Sequence, residues 1–260
     1  MNNPAASFTR IVLGLEQGTS DSDNLRFAAE FAKLLRLDLF GLFAEDPSLA
    51  HLANLPTLRE FKLLERRWRP VEGRNLSGEF ESSARVARKA FEEIAQASGV
   101  PQSFEIVRAR AMDAIATITG ETDIVLVCEP RQPANLAMPA FSETVDAAMA
   151  TPAAVLVVPN SLIRQHGPVL AIGETTDDPN LTSAAKIAAA AHERLEVLTT
   201  KDSTMSISWR RPDQPGERMI IMTRRISASL NPLAIASRRR VPVLVLAPSH
   251  VSPSERRVIG

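Results

Sequence analysis

The 260 residues are 45% hydrophobic and 23% charged, an ordinary globular composition with enough apolar material for a proper core. Lys plus Arg and Asp plus Glu balance at 30 each, so bulk charge points to neither nucleic acid nor an anionic membrane as partner. A single cysteine, Cys128, excludes an internal disulfide and argues against cysteine-ligated zinc, and no apolar run approaches the roughly 18–20 residues of a membrane helix.

Arg10–Leu15 (RIVLGL) is a short branched apolar run bounded by Gly18, Thr19 and Ser20, the pattern of a buried strand. Asp21, Ser22 and Asp23 then supply helix-capping chemistry. Leu25, Ala28, Ala29, Ala32 and Leu35 follow at spacings that share one helical face. Leu37–Phe43 reads as a second strand, and joining two strands through a helix makes a right-handed unit of a parallel sheet. Leu58–Arg69 (LREFKLLERRWR) reads as a short basic helix, with Trp68 covering the sheet or anchoring a partner. Gly78–Ser98 predicts a long helix with a stripe of Phe80, Ala84, Ala87, Phe91 and Ile94, ended by Gly99-Val100-Pro101. Ser103–Arg108, Asp123–Cys128 and Ala154–Val158 read as strands, separated by helices over Met112–Thr119 and Phe141–Ala150.

After a linker the pattern restarts. Val169–Ile172 is a strand followed by Glu174, as Glu16 follows the first strand. Asn24-Leu25-x-x-Ala28-Ala29 recurs as Asn180-Leu181-x-x-Ala184-Ala185, and Leu195–Thr199 matches the second strand. Val155–Pro159 is echoed by Val243–Pro248. The offset between the copies shrinks along the chain, so the second copy has lost its middle, including any counterpart of the long helix. Met205–Trp209 and Met219–Thr223 are its remaining strands.

These strings, in this order, resemble the universal stress protein family. Ile11–Ala29 looks like that family's opening strand, acidic turn and first helix, Ala111–Ile115 like the start of its third helix, and Ser142–Val145 with Val155–Pro159 like its last helix and strand. The resemblance implies an α/β chain of two adenine-nucleotide-α-hydrolase-like, Rossmann-like parallel-sheet domains. The second is truncated, and the two pack as a pseudo-dimer through their last strands. A complete domain spans 8–160, a linker 161–167 and an abridged domain 168–250.

Ligands of open parallel sheets sit beyond the carboxyl ends of the strands, near a switch point in strand order. That rim predicts Glu16, Gln17, Gly18, Phe43, Ala44, Cys128 and Glu129 as the candidate ligand-binding residues, with Pro130 beside them. ATP-binding members of the family place an acidic residue after the first strand and a Gly-x-x-Gly loop, a spacer and Gly-Ser/Thr after the fourth. Here Glu16 fills the acidic position, but Cys128-Glu129-Pro130-Arg131-Gln132-Pro133 and Pro139-Ala140 replace the glycines. Without glycine the backbone N–H groups cannot close on phosphate, and proline removes donors outright. Thr223–Ser229 in the second copy also lacks glycine and offers Arg224 and Arg225 instead. The expectation is a non-enzymatic stress-response or regulatory protein with a degenerate site, no standard ATP cofactor and no catalytic or metal residues. An adenine-nucleotide module that takes ATP or AMP at the first strand rim is the alternative.

Other motifs favour plainer readings. Cys128 beside Glu129 reads as a small buried hydrophobe, because a neighbouring carboxylate disfavours the thiolate. His51, His166, His192 and His250 have no metal-ligand spacing. Arg238–Arg240 reads as a solvated helix end, favoured by the helix dipole, with no aromatic platform for nucleic acid. The expected partner is therefore an unidentified protein, or a second copy of the chain beyond the internal pseudo-dimer, with no membrane and nucleic acid disfavoured. The composition and the polar start of the chain suggest a cytoplasmic protein.

Overall fold

The computed structural model describes residues 8–15, 22–48, 59–63, 65–70, 73–131, 139–161, 166–175, 178, 180–199 and 216–247. The expected strand Met205–Trp209 lies outside the described residues. The described residues hold eleven strands, β1 (Arg10–Leu15), β2 (Asp38–Ala44), β3 (Arg59–Lys62), β4 (Arg67–Pro70), β5 (Gln102–Val107), β6 (Asp123–Cys128), β7 (Ala154–Val158), β8 (Val169–Gly173), β9 (Leu195–Thr199), β10 (Met219–Thr223) and β11 (Val243–Leu246). Among them lie helices α1 (Ser22–Leu35), α2 (Gly73–Ser98), α3 (Ala111–Ile118), α4 (Pro139–Ala150), α5 (Asn180–Ala190), α6 (Arg224–Ser227) and α7 (Pro232–Arg239).

Nine strands form one sheet in the order β5-β2-β1-β6-β7-β11-β10-β8-β9. Within each half every pairing is parallel, as β-helix-β connections require. The halves meet at β7 and β11, which pair antiparallel with Val157 opposite Val243, Leu156 opposite Leu244 and Val155 opposite Val245. The central strands are buried on both faces, which explains why they read as unbroken runs of Val, Ile and Leu. The outermost strands, β5 and β9, are largely exposed.

Helices cover both faces. α1, α2 and α5 bury Leu25, Ala28, Phe91, Ala95, Ala184 and Ile187 in one core layer. α3, α4, α6 and α7 bury Ile115, Ala148, Ile226 and Ala236 in the other. α1 carries Asp23 in its first turn and Lys33 in its last, each suited to the helix dipole. α2 starts before the residue that periodicity indicated, at Gly73, and ends where Gly99 turns left-handed at φ 68°. Beside it, Gly41 of β2 leaves room for rings. A Cβ there would stand 2.7 Å from Phe104 and 3.1 Å from Phe91.

One expected helix is absent. Leu58–Arg69 was to be helical, but β3 and β4 form a separate antiparallel hairpin with Phe61 opposite Trp68. The segment is rich in helix formers, yet Arg66 takes a left-handed φ of 48° between the strands, which a helix cannot contain. Phe61 and Trp68 pack across the pair with ring centroids 5.3 Å apart, the unit of contact that stabilises a hairpin. Trp68 does not cover the large sheet but is 63% exposed.

Candidate functional site

The carboxyl ends of β1, β2 and β6 bring Leu15, Phe43, Ala44, Cys128 and Glu129 to one rim, because β1 lies between β2 and β6. This is also the switch point of the first half: the chain leaves β1 toward β2 and later returns to β6 on its other side. Glu16, Gln17 and Gly18 lie outside the described residues. Phe43 faces inward and is fully buried in the core beneath α1, while Ala44 is partly buried at the rim. Their backbones pair with β5, Phe43 opposite Ile106 and Ala44 opposite Val107.

Glu129 is buried, and its carboxylate has defined partners. One oxygen accepts from the Ser237 hydroxyl at 2.6 Å and the other from the Asn160 backbone N–H at 3.1 Å. Its own N–H donates to the Val158 carbonyl at 2.8 Å. Ser237 belongs to α7 of the second half, so Glu129 ties the end of β6 to the end of β7 and to the opposite half. Cys128 stands opposite Val158, is partly buried and packs against the core layer beneath α1.

Two residues that the sequence marked for other reasons meet at this rim. Arg131, two residues beyond Glu129, places its guanidinium 2.5 Å from the Asp23 carboxylate in the first turn of α1. That ion pair spans the crevice between β1 and β6. The second half repeats the arrangement with different residues. Glu174, after β8, accepts from Arg225, after β10, at 2.7 Å, again across two strands that adjoin at the switch point. Glu174 is oriented from behind, its N–H donating to the Asp178 carboxylate at 2.9 Å. In the sequence Asp23 carries only a capping signal and Arg131 sits among prolines. Their separation of 108 residues leaves no local trace of the pair.

Arg224 does not reach the crevice. Its guanidinium donates to the Ala153 carbonyl at 2.6 Å, its Nε is buried with no partner among the described residues, and desolvation lowers its pKa. Thr223–Ser229 is not a loop open to an anion. Thr223 caps α6, its hydroxyl accepting from the Ile226 N–H at 3.3 Å.

A cleft of about 690 Å³ lies beside the first rim, between α1 and the amino ends of the second-half strands. Phe27, Phe31, Ile187 and Met219 line it, with Arg26, His166 and Arg218 at its polar margin. Among the described residues no group of three or more His, Cys, Asp or Glu could hold a metal ion. No helix among them is long and apolar enough to cross a membrane.

No protein-family model matches the chain, and no curated protein matches it. Solved structures do. A universal stress protein from Archaeoglobus fulgidus DSM 4304 superposes with a TM-score of 0.60 at 12% identity, covering 92% of this chain and 96% of that one. The chain has the universal stress protein fold. A putative universal stress protein from Pseudomonas aeruginosa UCBPP-PA14 aligns over 96% of both chains at TM-score 0.54 and 14% identity. A functionally unknown protein from Pseudomonas aeruginosa PAO1 aligns over the same share at TM-score 0.52 and 16% identity. At such identities the likeness is one of backbone. What this universal-stress-protein fold does rests on its own side chains.

Proposed function

We propose that this chain is a non-enzymatic, universal-stress-protein-like regulatory protein that acts through protein contacts and does not take ATP by a phosphate loop. On this reading 8–160 and 168–250 are a complete and an abridged domain, joined as an internal pseudo-dimer. The observation that carries it is the pair of crossing ion pairs, Asp23–Arg131 and Glu174–Arg225, one over each switch-point crevice. A triphosphate needs converging backbone N–H groups and a positive field. At each rim a carboxylate instead holds the arginine that follows the strand, and the segments where a phosphate loop would stand carry no glycine: none lies between Gly120 and Gly167 or within Thr223–Ser229. Glu129, which would face a phosphate if it turned outward, is held inward by Ser237 and Asn160.

Isothermal titration of the intact chain with ATP and with AMP tests the reading. No saturable heat is expected below about 1 mM ligand, weaker than roughly −4 kcal/mol of binding free energy. Micromolar binding of either nucleotide overturns it, and loss of that binding in Glu16→Ala would establish the adenine-nucleotide module in its place. Chromatography of ATP incubated with the protein is expected to show no ADP, AMP or phosphate release.

A further inference from the structure

The β3–β4 hairpin exposes three large apolar side chains in a short span: Phe61 at 45%, Leu63 at 82% and Trp68 at 63%. Scattered exposed apolar residues are ordinary, but three on one two-stranded ribbon form a patch. A lone hairpin is marginal in water, and among the described residues no third strand pairs with either edge of this one. The segment is also basic, with Arg59, Lys62, Arg66, Arg67 and Arg69 against Glu60 and Glu65. Arg67 and Arg69 flank Trp68 in sequence and so project to the face opposite the aromatic pair. Both pair with Glu65, which holds the two guanidinium groups together.

We propose that this hairpin is a docking edge for an extended segment of another protein in which apolar and acidic residues alternate. A strand added to an open edge presents its side chains with period two. Its apolar residues would continue the Phe61–Trp68 face, and its Asp or Glu residues would meet Arg67 and Arg69 on the other. A second copy of this chain fits poorly, because edge-to-edge pairing would bring two arginine sets together. Single-stranded nucleic acid is disfavoured by ring geometry: Phe61 and Trp68 are tilted by 57°, not aligned as successive stacking platforms, and Leu63 offers nothing to a base. The inference deepens the reading of a contact-based role by naming the partner's chemistry.

Fluorescence anisotropy of a labelled heptapeptide of alternating valine and glutamate, titrated with the intact chain, tests it. Binding with a Kd of roughly 10–100 μM is expected. It should weaken at least about tenfold in Trp68→Ala and in the Arg67→Glu, Arg69→Glu double variant, as for anchor residues generally. The valine–lysine counterpart should not bind. Equal binding of both peptides, no binding of the acidic one, or unchanged affinity in both variants overturns the proposal. So does preferential binding of a thymidine 15-mer or of phosphatidylserine vesicles. The charge variant keeps the aromatic pair, so the test stands if Trp68→Ala unfolds. Nucleotide titration is independent: ATP binding with intact peptide binding removes only the reading that the chain does not take ATP, and peptide failure without ATP binding removes only this one.

Discussion

At the scale of single residues, two positions decide how much the fold tolerates. Gly41 is glycine because Phe91 of α2 and Phe104 of β5 close over it, their rings edge-on with centroids 5.7 Å apart. Gly41→Ala should destabilise the protein by about 1–3 kcal/mol through overpacking, read as a lower urea midpoint with an unchanged slope. Glu129 is the second. Glu129→Ala removes the acceptor of the Asn160 N–H and one of the two acceptors of the Ser237 hydroxyl, which also reaches the Leu233 carbonyl, and should cost about 1 kcal/mol. Glu129→Gln keeps one acceptor and should lose less. Equal stability of wild type and Glu129→Ala in denaturant would show that the contact across the halves carries no weight. Arg131 and Asp23 are more than half exposed, so Asp23→Ala should change stability by less than about 1 kcal/mol. Their importance is one of place, and no short-range pattern discloses it.

At the scale of elements, the sequence was most legible where burial was greatest. β1, β6, β7, β10 and β11 are apolar runs because parallel strands are covered on both faces, and the run alone identifies them. α2 was legible from one stripe, since Phe80, Ala84, Ala87 and Phe91 are all buried. The hairpin was not, because its helix-forming composition outweighed a short alternation of Phe61 and Leu63 with Glu60 and Lys62. The contact that settled it, Phe61 on Trp68, is visible only once the strands are paired. The end of α7 was half legible. Arg240 caps it with a left-handed φ of 55°, a helix end as expected. Arg239, however, turns inward to Glu217, with two bonds of 2.7 Å and the carboxylate almost fully buried. The hydrogen bond that Arg239 donates to Glu217 raises the Arg239 pKa against the opposing effect of burial. A raised arginine pKa contributes stability that is complete below the ordinary guanidinium range and is lost only as pH climbs through the raised value. Glu217→Ala removes both acceptors of the Arg239 guanidinium and should cost roughly 1–3 kcal/mol, by a margin that stays constant between about pH 7 and 10 in urea melts. A margin that shrinks across that window would contradict the assignment.

At the scale of the molecule, the antiparallel seam of β7 and β11 joins two parallel half-sheets into one of nine strands. The two strands of the seam were legible as the valine-rich runs Ala154–Val158 and Val243–Leu246. The candidate rim was legible as a place but only partly as residues: Phe43, Ala44, Cys128 and Glu129 meet there, while Asp23 and Arg131 had to be found in space. The seam predicts the behaviour of a shortened chain. Ending the protein after residue 161 would leave the buried edge of β7 without a partner, and unpaired edges recruit other strands. Such a chain should elute as a dimer or larger in size-exclusion chromatography with light scattering, and a stable monomer would argue against the seam as described. Because the seam is internal to one chain, the halves need not be identical, and they are not. Among the described residues, such a hairpin occurs once, between β2 and α2. A symmetric pair of separate subunits would carry two such edges and could cross-link its targets with gained avidity. The described residues offer one, and engagement through that edge is monovalent, suited to reversible one-to-one capture.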